Sequence, residues 1–414
     1  MAAISSAGAD ACTAVVEANT TAGRKLLLTG GGRCNFTNLV SVDEMVRAFG
    51  AKGRFLSYSL YEFPPDKVRD FFRGRGLQSN VEQDGCVFPV TDRPATARHS
   101  AETSAGEVRD VLLAEAKRLG VHFLFSMRVQ SVTKHGRHFT VRSAGQEILA
   151  EKVIIATGGV TWPSTGSTGD GYRFAQELGH VVIRPRPSLV PLVTSQSWPS
   201  DLAGTSLENV KISAPISVFD RRHGGKKKIT VTGSMIFTHD GVGGPAVLDL
   251  SRLVADFLPS AEKPIELVID LSPGTTEAEL EKQILERFGA NPKKTVANIL
   301  AGLVPRRVSA VLCRQFHCAE LLAGQISKDM RRKLVRAFKA LPLSVTSTRP
   351  IDEAMVTHGG VDVTQVEAKT MESKICPHLF FAGEVLDVDG PCGGYNLQIC
   401  WSTGALAGSS AARR

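Results

Sequence analysis

LLLTGGGRCNFTN, residues 26–38, carries an apolar run into three glycines, the pattern of a buried strand feeding a phosphate-binding loop. Both common phosphate motifs fail on it. A dinucleotide fingerprint needs strand, GxGxxG and helix. Here Gly30 and Gly32 are followed by Asn35, and FTNLVSV reads as loop or strand. A phosphate-loop NTPase needs GK[ST] after the glycines, and none follows. The order is also wrong. TAVVEAN, residues 13–19, reads as a buried parallel strand ending in an acid, Glu17. A carboxylate there is the usual acceptor for an adenosine ribose, and a fingerprint loop precedes it by about 20 residues. Only 16 residues precede Glu17, and Gly8 is their one glycine.

Two more strand-to-glycine elements lie along the chain, VIIATGG (153–159) and FFAGEV (380–385). With LLLTGGG (26–32) they place three glycine-rich segments at the ends of expected parallel strands, where open α/β sheets bind ligands. Gly393-Gly394 opens a C-terminal helix whose free N–H groups and positive dipole end suit a phosphate or a flavin's pyrimidine carbonyl. Glu384, Asp387 and Asp389 stand just ahead of it, and so many polar groups ask for a polar ligand. Several strand ends touching one extended molecule point to a dinucleotide.

The rest of the chain fits an α/β protein. It has 414 residues, 43% hydrophobic and 22% charged, with 39 glycines, enough for two or three domains. A helix is expected over 64–76 and a hairpin over 81–90 with Asp84-Gly85 as its turn. A long polar loop over 91–107 then leads to a helix over 107–120. VHFLFSMRVQSVTK (121–134) and HFTVRS (138–143) read as two strands, and 166–180 as a loop and helix closed by Gly179. From Pro187 the alternation becomes β-rich, as in a small sheet or barrel. Thr276 and Glu279 form a capping box, and Leu280, Ile284 and Phe288 line one face of the helix that follows. Helical text continues through 298–316 and 327–341, and strand text returns at PLSVTS (342–347). The last segment reads as strand, acidic loop, Gly-Gly turn and helix.

The net charge of +8 has two readings, an anionic partner or ordinary surface charge, and the latter is preferred. RRHGGKKK (221–228) reads as a hairpin tip and KDMRRKLVR (328–336) as a solvated helix face. Neither interleaves aromatics, so no nucleic acid partner is expected. Cys12, Cys34, Cys86, Cys313, Cys318, Cys376, Cys392 and Cys400 form no CxxC, and CRQFHC has the wrong spacing for a zinc knuckle. No metal site is expected, and a reduced, cytoplasmic compartment is the simplest reading. No apolar stretch approaches a membrane span, and the N-terminus lacks the basic region of a signal peptide.

Four stretches together are specific: GRKLLLTGGGRCNFTN, ATGGVTWPSTGSTGDGYRFAQELGH, FTHDGVGGPAVLDLS and GGVDVTQVEAKTMESKICPHLFFAGEVLDVDGPCGGYNLQICWSTGALAG. They resemble the BaiN/RdsA-type NAD(P)/FAD-dependent oxidoreductases, which include aminoacetone oxidases. The resemblance implies an α/β fold: a Rossmann-like FAD-binding domain built from both chain ends, an inserted β-barrel and a helical subdomain. The implied boundaries are 1–189, 190–273, 274–344 and 345–414. It implies FAD bound by Glu17, Arg24, Lys25, Gly32, Arg33, Cys34, Asn35, Thr37, Asn38 and Val129. Ala156, Thr157, Gly158, Gly383, Glu384, Gly394, Tyr395, Asn396, Leu397 and Gln398 complete the implied set. It further implies NADH or NADPH as reductant and a small organic substrate or oxygen as acceptor.

No catalytic residue is assigned. His239 is a candidate acid, since the implied barrel roofs the flavin; a plain turn histidine is the competing reading. Cys34 has no second thiol beside it in sequence, so no disulfide chemistry is expected. Members of the family open with a strand, GxGxxG and a helix, and residues 1–8 align with the second half of that helix. The expectation is a misplaced start codon or a fragment of an active flavoenzyme. The alternatives are a non-catalytic flavin- or nucleotide-binding remnant and a basic nucleic-acid-associated protein.

Overall fold

Two short β-rich runs, AVV and VII, each find a parallel partner from far along the chain. Ala14–Val16 lies beside His122–Leu124, with Ala14 opposite His122. Val153–Ile155 lies beside Leu379–Phe381, with Val153 opposite Leu379. The computed structural model describes residues 1–92, 103–220, 225–255, 257–258 and 263–413. The chain forms two units, Met1–Arg186 with Ile351–Arg414, and Pro187–Pro350.

The first unit is made from both chain ends because parallel strands need long crossovers. Ile155, Tyr172, Phe174, Phe380, Phe381 and Leu406 share its main core. The helix Tyr395–Ala412 buries Ile399, Trp401, Ala405, Leu406 and Ala407, and so is covered on most sides. Helix Ala2–Ala7 runs against it so closely that a Cβ at Gly408 would stand 2.2 Å from the Ala2 carbonyl oxygen. Val356–Val361 pairs with Val182–Ser188, and two three-stranded sheets also lie in the unit. One orders Thr37–Asn38, Cys86–Pro89 and Ser79–Val81; the other orders Val129–His135, His138–Ser143 and Gln146–Ala150.

In the second unit the alternating strands close a barrel. Its order is Leu192–Thr194, Gly241–Gly243, Gly225–Phe237, Ser206–Asp220, Ile265–Asp270 and Leu341–Thr348. Ile265, Leu267 and Ile269 point into it at every second residue, as the pleat requires. The helix Glu277–Ala290 starts on the Thr276–Glu279 capping box and buries Leu280, Ile284 and Phe288. Those three join the barrel's inner face in one core with Val308, Leu334 and Phe338.

The expected strand at 26–32 is absent. Leu26–Gly32 is a pair of 3-10 turns in which Gly30, Gly31 and Gly32 take φ of 56°, 66° and 96°. Successive left-handed residues cannot propagate a strand. They fold the chain back, and Cys34 N–H donates to the Thr29 carbonyl at 3.0 Å. The single strand expected over 121–134 also breaks. Ser126 turns at φ 55° and separates His122–Leu124 from Val129–His135. The helix expected from 107 begins at Ser104, where the Thr103 hydroxyl accepts from Gly106 N–H. Pro305 divides the helical text of 298–316 into Val296–Leu300 and Arg306–Gln315. Most of the polar stretch before Ser104, residues 93–102, lies outside the described residues. So does the tip 221–224 of RRHGGKKK, between Asp220 and its strand partner Gly225. No helix among the described residues is long and apolar enough to cross a membrane.

Candidate functional site

Glu17 follows the Ala14–Val16 strand and is fixed by its own turn. Its N–H donates to the Leu124 carbonyl, and its Oε1 accepts from both the N–H and Nδ2 of Asn19, each at 2.8 Å. Arg24 holds the other side of Asn19, NH1 to Oδ1 at 2.8 Å, and Asn19 Nδ2 donates to the Thr165 carbonyl. Among the described residues nothing donates to Glu17 Oε2. A half-buried carboxylate is thus oriented by one oxygen and offers the other.

Lys25, Glu384 and the Val153–Ile155 strand end form a second group. Lys25 Nζ donates to Glu384 Oε2 at 2.8 Å and to Thr161 Oγ1 at 2.6 Å. Glu384 Oε1 accepts from Thr357 N–H at 2.8 Å, and Thr357 Oγ1 accepts from Val160 N–H. Both Glu384 oxygens are therefore engaged by the protein. Tyr172 buries its hydroxyl nearby; burial first, and then the charge of Glu384, raises its pKa. Ala156 and Thr157 are exposed between buried Ile155 and Gly159, so the strand end is open to solvent. Gly158 and Gly383 take φ of 75° and 76°, which lets the chain turn away there.

The third group is the start of helix Tyr395–Ala412. Gly394 sits at φ 91° and carries no side chain to cap the helix. A Cβ there would lie 2.4 Å from the Thr37 carbonyl oxygen and 2.8 Å from Asn35 Oδ1. Asn38 Nδ2 donates to the Gly393 carbonyl at 3.0 Å, and Thr37 Oγ1 to Gln398 Oε1 at 2.5 Å. Asn396 clasps Gly390, accepting from its N–H and donating to its carbonyl. The Asn35–Asn38 segment and the helix start are therefore one construction. Buried Gly32 leads into it, and Leu397 is half-buried within it.

The remaining expected residues have their own surroundings. Arg33 stacks its guanidinium on Phe88, 3.9 Å from the ring centroid, and pairs with Glu82. The Cys34 thiol is fully buried among Phe36, Val68 and Phe72, and burial pushes it up to about 12, so it offers no surface to a ligand. Val129 begins the Val129–His135 strand and is half-buried. His239 is an exposed turn residue after Gly225–Phe237. Among the described residues no cluster of three or more His, Cys, Asp or Glu is placed to hold a metal.

The acids ahead of the helix were expected to need a polar ligand. Their partners are internal instead. Lys25 meets Glu384, Lys52 meets Asp387, and His358 Nδ1 lies 2.8 Å from Asp389 Oδ1. Lys52, Thr161, Thr357 and His358 do not stand out in the sequence. The available signal is a Thr-His pair before Gly359-Gly360, directly ahead of a family stretch.

A family model described as "HI0933-like protein Rossmann domain" matches residues 1–410. The chain is 30% identical over 406 residues to the 3-dehydro-bile acid delta(4,6)-reductase of Clostridium scindens, covering 98% of this chain and 94% of that one. It is 30% identical over 385 residues to the ribosomal RNA dihydrouridine synthase of Escherichia coli, covering 92% and 87%. Among solved structures, the 3-ketosteroid-delta4-(5alpha)-dehydrogenase of Rhodococcus jostii superposes with a TM-score of 0.50 at 17% identity, covering 100% and 94%. That likeness is one of fold.

Proposed function

The chain belongs to the HI0933-like Rossmann family, and on that premise we propose that this flavin-dependent oxidoreductase reduces a carbon–carbon double bond conjugated to a carbonyl. The observation that carries the proposal is what the names of two of its relatives have in common. One reduces delta(4,6) double bonds of a 3-dehydro, that is 3-oxo, bile acid. The other makes dihydrouridine, which is uridine with the ring double bond beside a carbonyl saturated. The electrons would come from NADH or NADPH.

The residues present fit FAD. Glu17 Oε2 is available for a ribose hydroxyl, which supports the adenosine end. The exposed strand end at Ala156 and Thr157, followed by the turn at Gly158, suits an extended ligand laid across it. The first turn of helix Tyr395–Ala412 has no side-chain cap and suits an anionic or carbonyl oxygen. Bound FAD supplies two-electron transfer that amino-acid side chains lack. The protein's own part is to hold and orient. Asn35, Thr37 and Asn38 fix the wall against Gly394, and the Lys25–Glu384 pair fixes the loop beneath.

The substrate we infer is a small molecule. The basic helix Lys328–Lys339 spends much of its charge internally: Arg331 and Arg332 pair with Glu281, Arg336 with Glu277 and Lys339 with Asp270. That leaves a weak field for a polyanion. A cytoplasmic location is inferred from eight cysteines, none of which is joined in a disulfide.

The test is to incubate the FAD-loaded chain anaerobically with NADH or NADPH and cyclohexenone. The expected product is the saturated ketone, heavier by two hydrogen atoms. Tight FAD binding with no product would instead support a non-catalytic binding protein. Reduction of an RNA uridine but of no small enone would replace the substrate class.

A further inference from the structure

We propose that the ring of Phe125 is the platform on which the adenine of FAD stacks. This rests on FAD being the cofactor and on Glu17 taking its ribose, as read above. It adds the residue that tells FAD from a flavin lacking the adenosine end.

The ladder of the first parallel pair puts the ring there. Ala14, Val15 and Val16 stand opposite His122, Phe123 and Leu124. The pairing runs one step past the strand ends, because Glu17 N–H donates to the Leu124 carbonyl at 2.9 Å. Phe125 is therefore the neighbour of Glu17, one strand spacing of about 4.8 Å away. In a regular parallel ladder Ser126 would donate next to the Glu17 carbonyl. Here Ser126 turns at φ 55° and gives its N–H to the Asn19 carbonyl at 2.9 Å. Met127 N–H takes its place on the Glu17 carbonyl, also at 2.9 Å. The backbone on both sides of Phe125 is thus bonded to the same turn that orients Glu17.

Side chains two residues apart share a face of a strand. Val15 and Phe123 pack with Ile4, Ala116 and Val121 in one small core. Phe125 returns to that face and lies on Phe123, with ring centroids 5.4 Å apart and planes 12° from parallel. Phe123 is half-buried, whereas Phe125 keeps 36% of its surface. No other ring or cation among the described residues stacks on it. A single exposed aromatic is ordinary. This one is stacked from behind, fixed by its backbone and set beside a carboxylate with an unengaged oxygen. The polar groups of the same turn are engaged with one another, Asn19 with Glu17, Thr165 and Arg24. What Glu17 has next to it for a purine is a flat apolar surface, and a base stacks on such a ring without any hydrogen bond.

The test measures flavin binding to the full chain stripped of its flavin, by quenching of flavin fluorescence. FAD and FMN share the flavin and differ by the adenosine end, which ADP carries alone. The wild-type chain should bind FAD more tightly than FMN, with ADP displacing FAD. Phe125→Ala should weaken both FAD and ADP about 10-fold and leave FMN unchanged. Phe125→Leu keeps apolar bulk on Phe123 without an aromatic face and should lose as much, whereas Phe125→Trp should hold FAD at least as tightly as the wild type. Equal loss of FAD and FMN in Phe125→Leu, or FAD bound by it at wild-type strength, would overturn the proposal. A wild-type chain that binds FMN as tightly as FAD would sink the ribose reading of Glu17 and this inference with it. One that binds neither would sink the FAD reading first.

Discussion

Gly394 concentrates the constraints of the site in one residue. Its φ of 91° suits glycine alone, and Thr37 leaves no room for a side chain. Gly394→Ala should lose about 1–3 kcal/mol of stability from strain and weaken FAD binding, read by thermal unfolding and by flavin fluorescence titration. Away from the site, Glu115 gives a prediction in pH. Hydrogen bonds first from Arg118 and then from Arg75 hold its carboxyl at about 2, below the ordinary 4.5. A depressed carboxyl stabilises the fold above its unfolded pKa and loses that contribution as pH falls through the folded one. Two-thirds of the Arg118 side chain is exposed, so screening leaves roughly 1–2 kcal/mol. Urea unfolding should show Glu115→Gln less stable by that amount at pH 7, with the gap closing between pH 4.5 and 2. At this scale the sequence is legible in part. Glu17 and Gly394 can be read from strand-end and turn chemistry. The partners of Glu384, Asp387 and Asp389 cannot, because Lys25, Lys52 and His358 are brought to them only by the fold.

Among elements, Tyr395–Ala412 is the most legible and Leu26–Gly32 the least. The C-terminal helix has a Gly-Gly start, a long apolar body and no competing turn. Leu26–Gly32 reads as a strand because LLLT is apolar. Three left-handed glycines override that propensity, and no alternation exists to warn of it. The capping box at Thr276 is also visible, since a cap is a local arrangement of four residues. Alternation alone leaves a small sheet and a barrel both open; the family resemblance implies the barrel, and Leu341–Thr348 closes it by meeting Leu192–Thr194 from across the second unit. One packing contact is tested simply. Gly408→Ala should push Ala2–Ala7 away from the C-terminal helix at a cost of about 1–3 kcal/mol, measured as a lower urea midpoint. An unchanged midpoint would mean that the two helices do not pack as closely as the 2.2 Å approach requires.

For the whole molecule, three sets of residues far apart in sequence form the candidate site within one unit. They are the turn at Glu17–Lys25, the strand ends at 155–161 and 381–384, and the helix start at Gly394 with its Asn35–Asn38 wall. The barrel and its helices make another unit with its own core. The central claim is that this arrangement holds FAD and passes electrons from it to a conjugated double bond. The direct measurement is anaerobic: photoreduce the flavin bound to the purified chain, add cyclohexenone and follow absorbance. The oxidised flavin spectrum should return as the enone is added, with one saturated ketone formed per flavin. Bound flavin that stays reduced in excess enone, and recovers only when oxygen enters, would contradict the account.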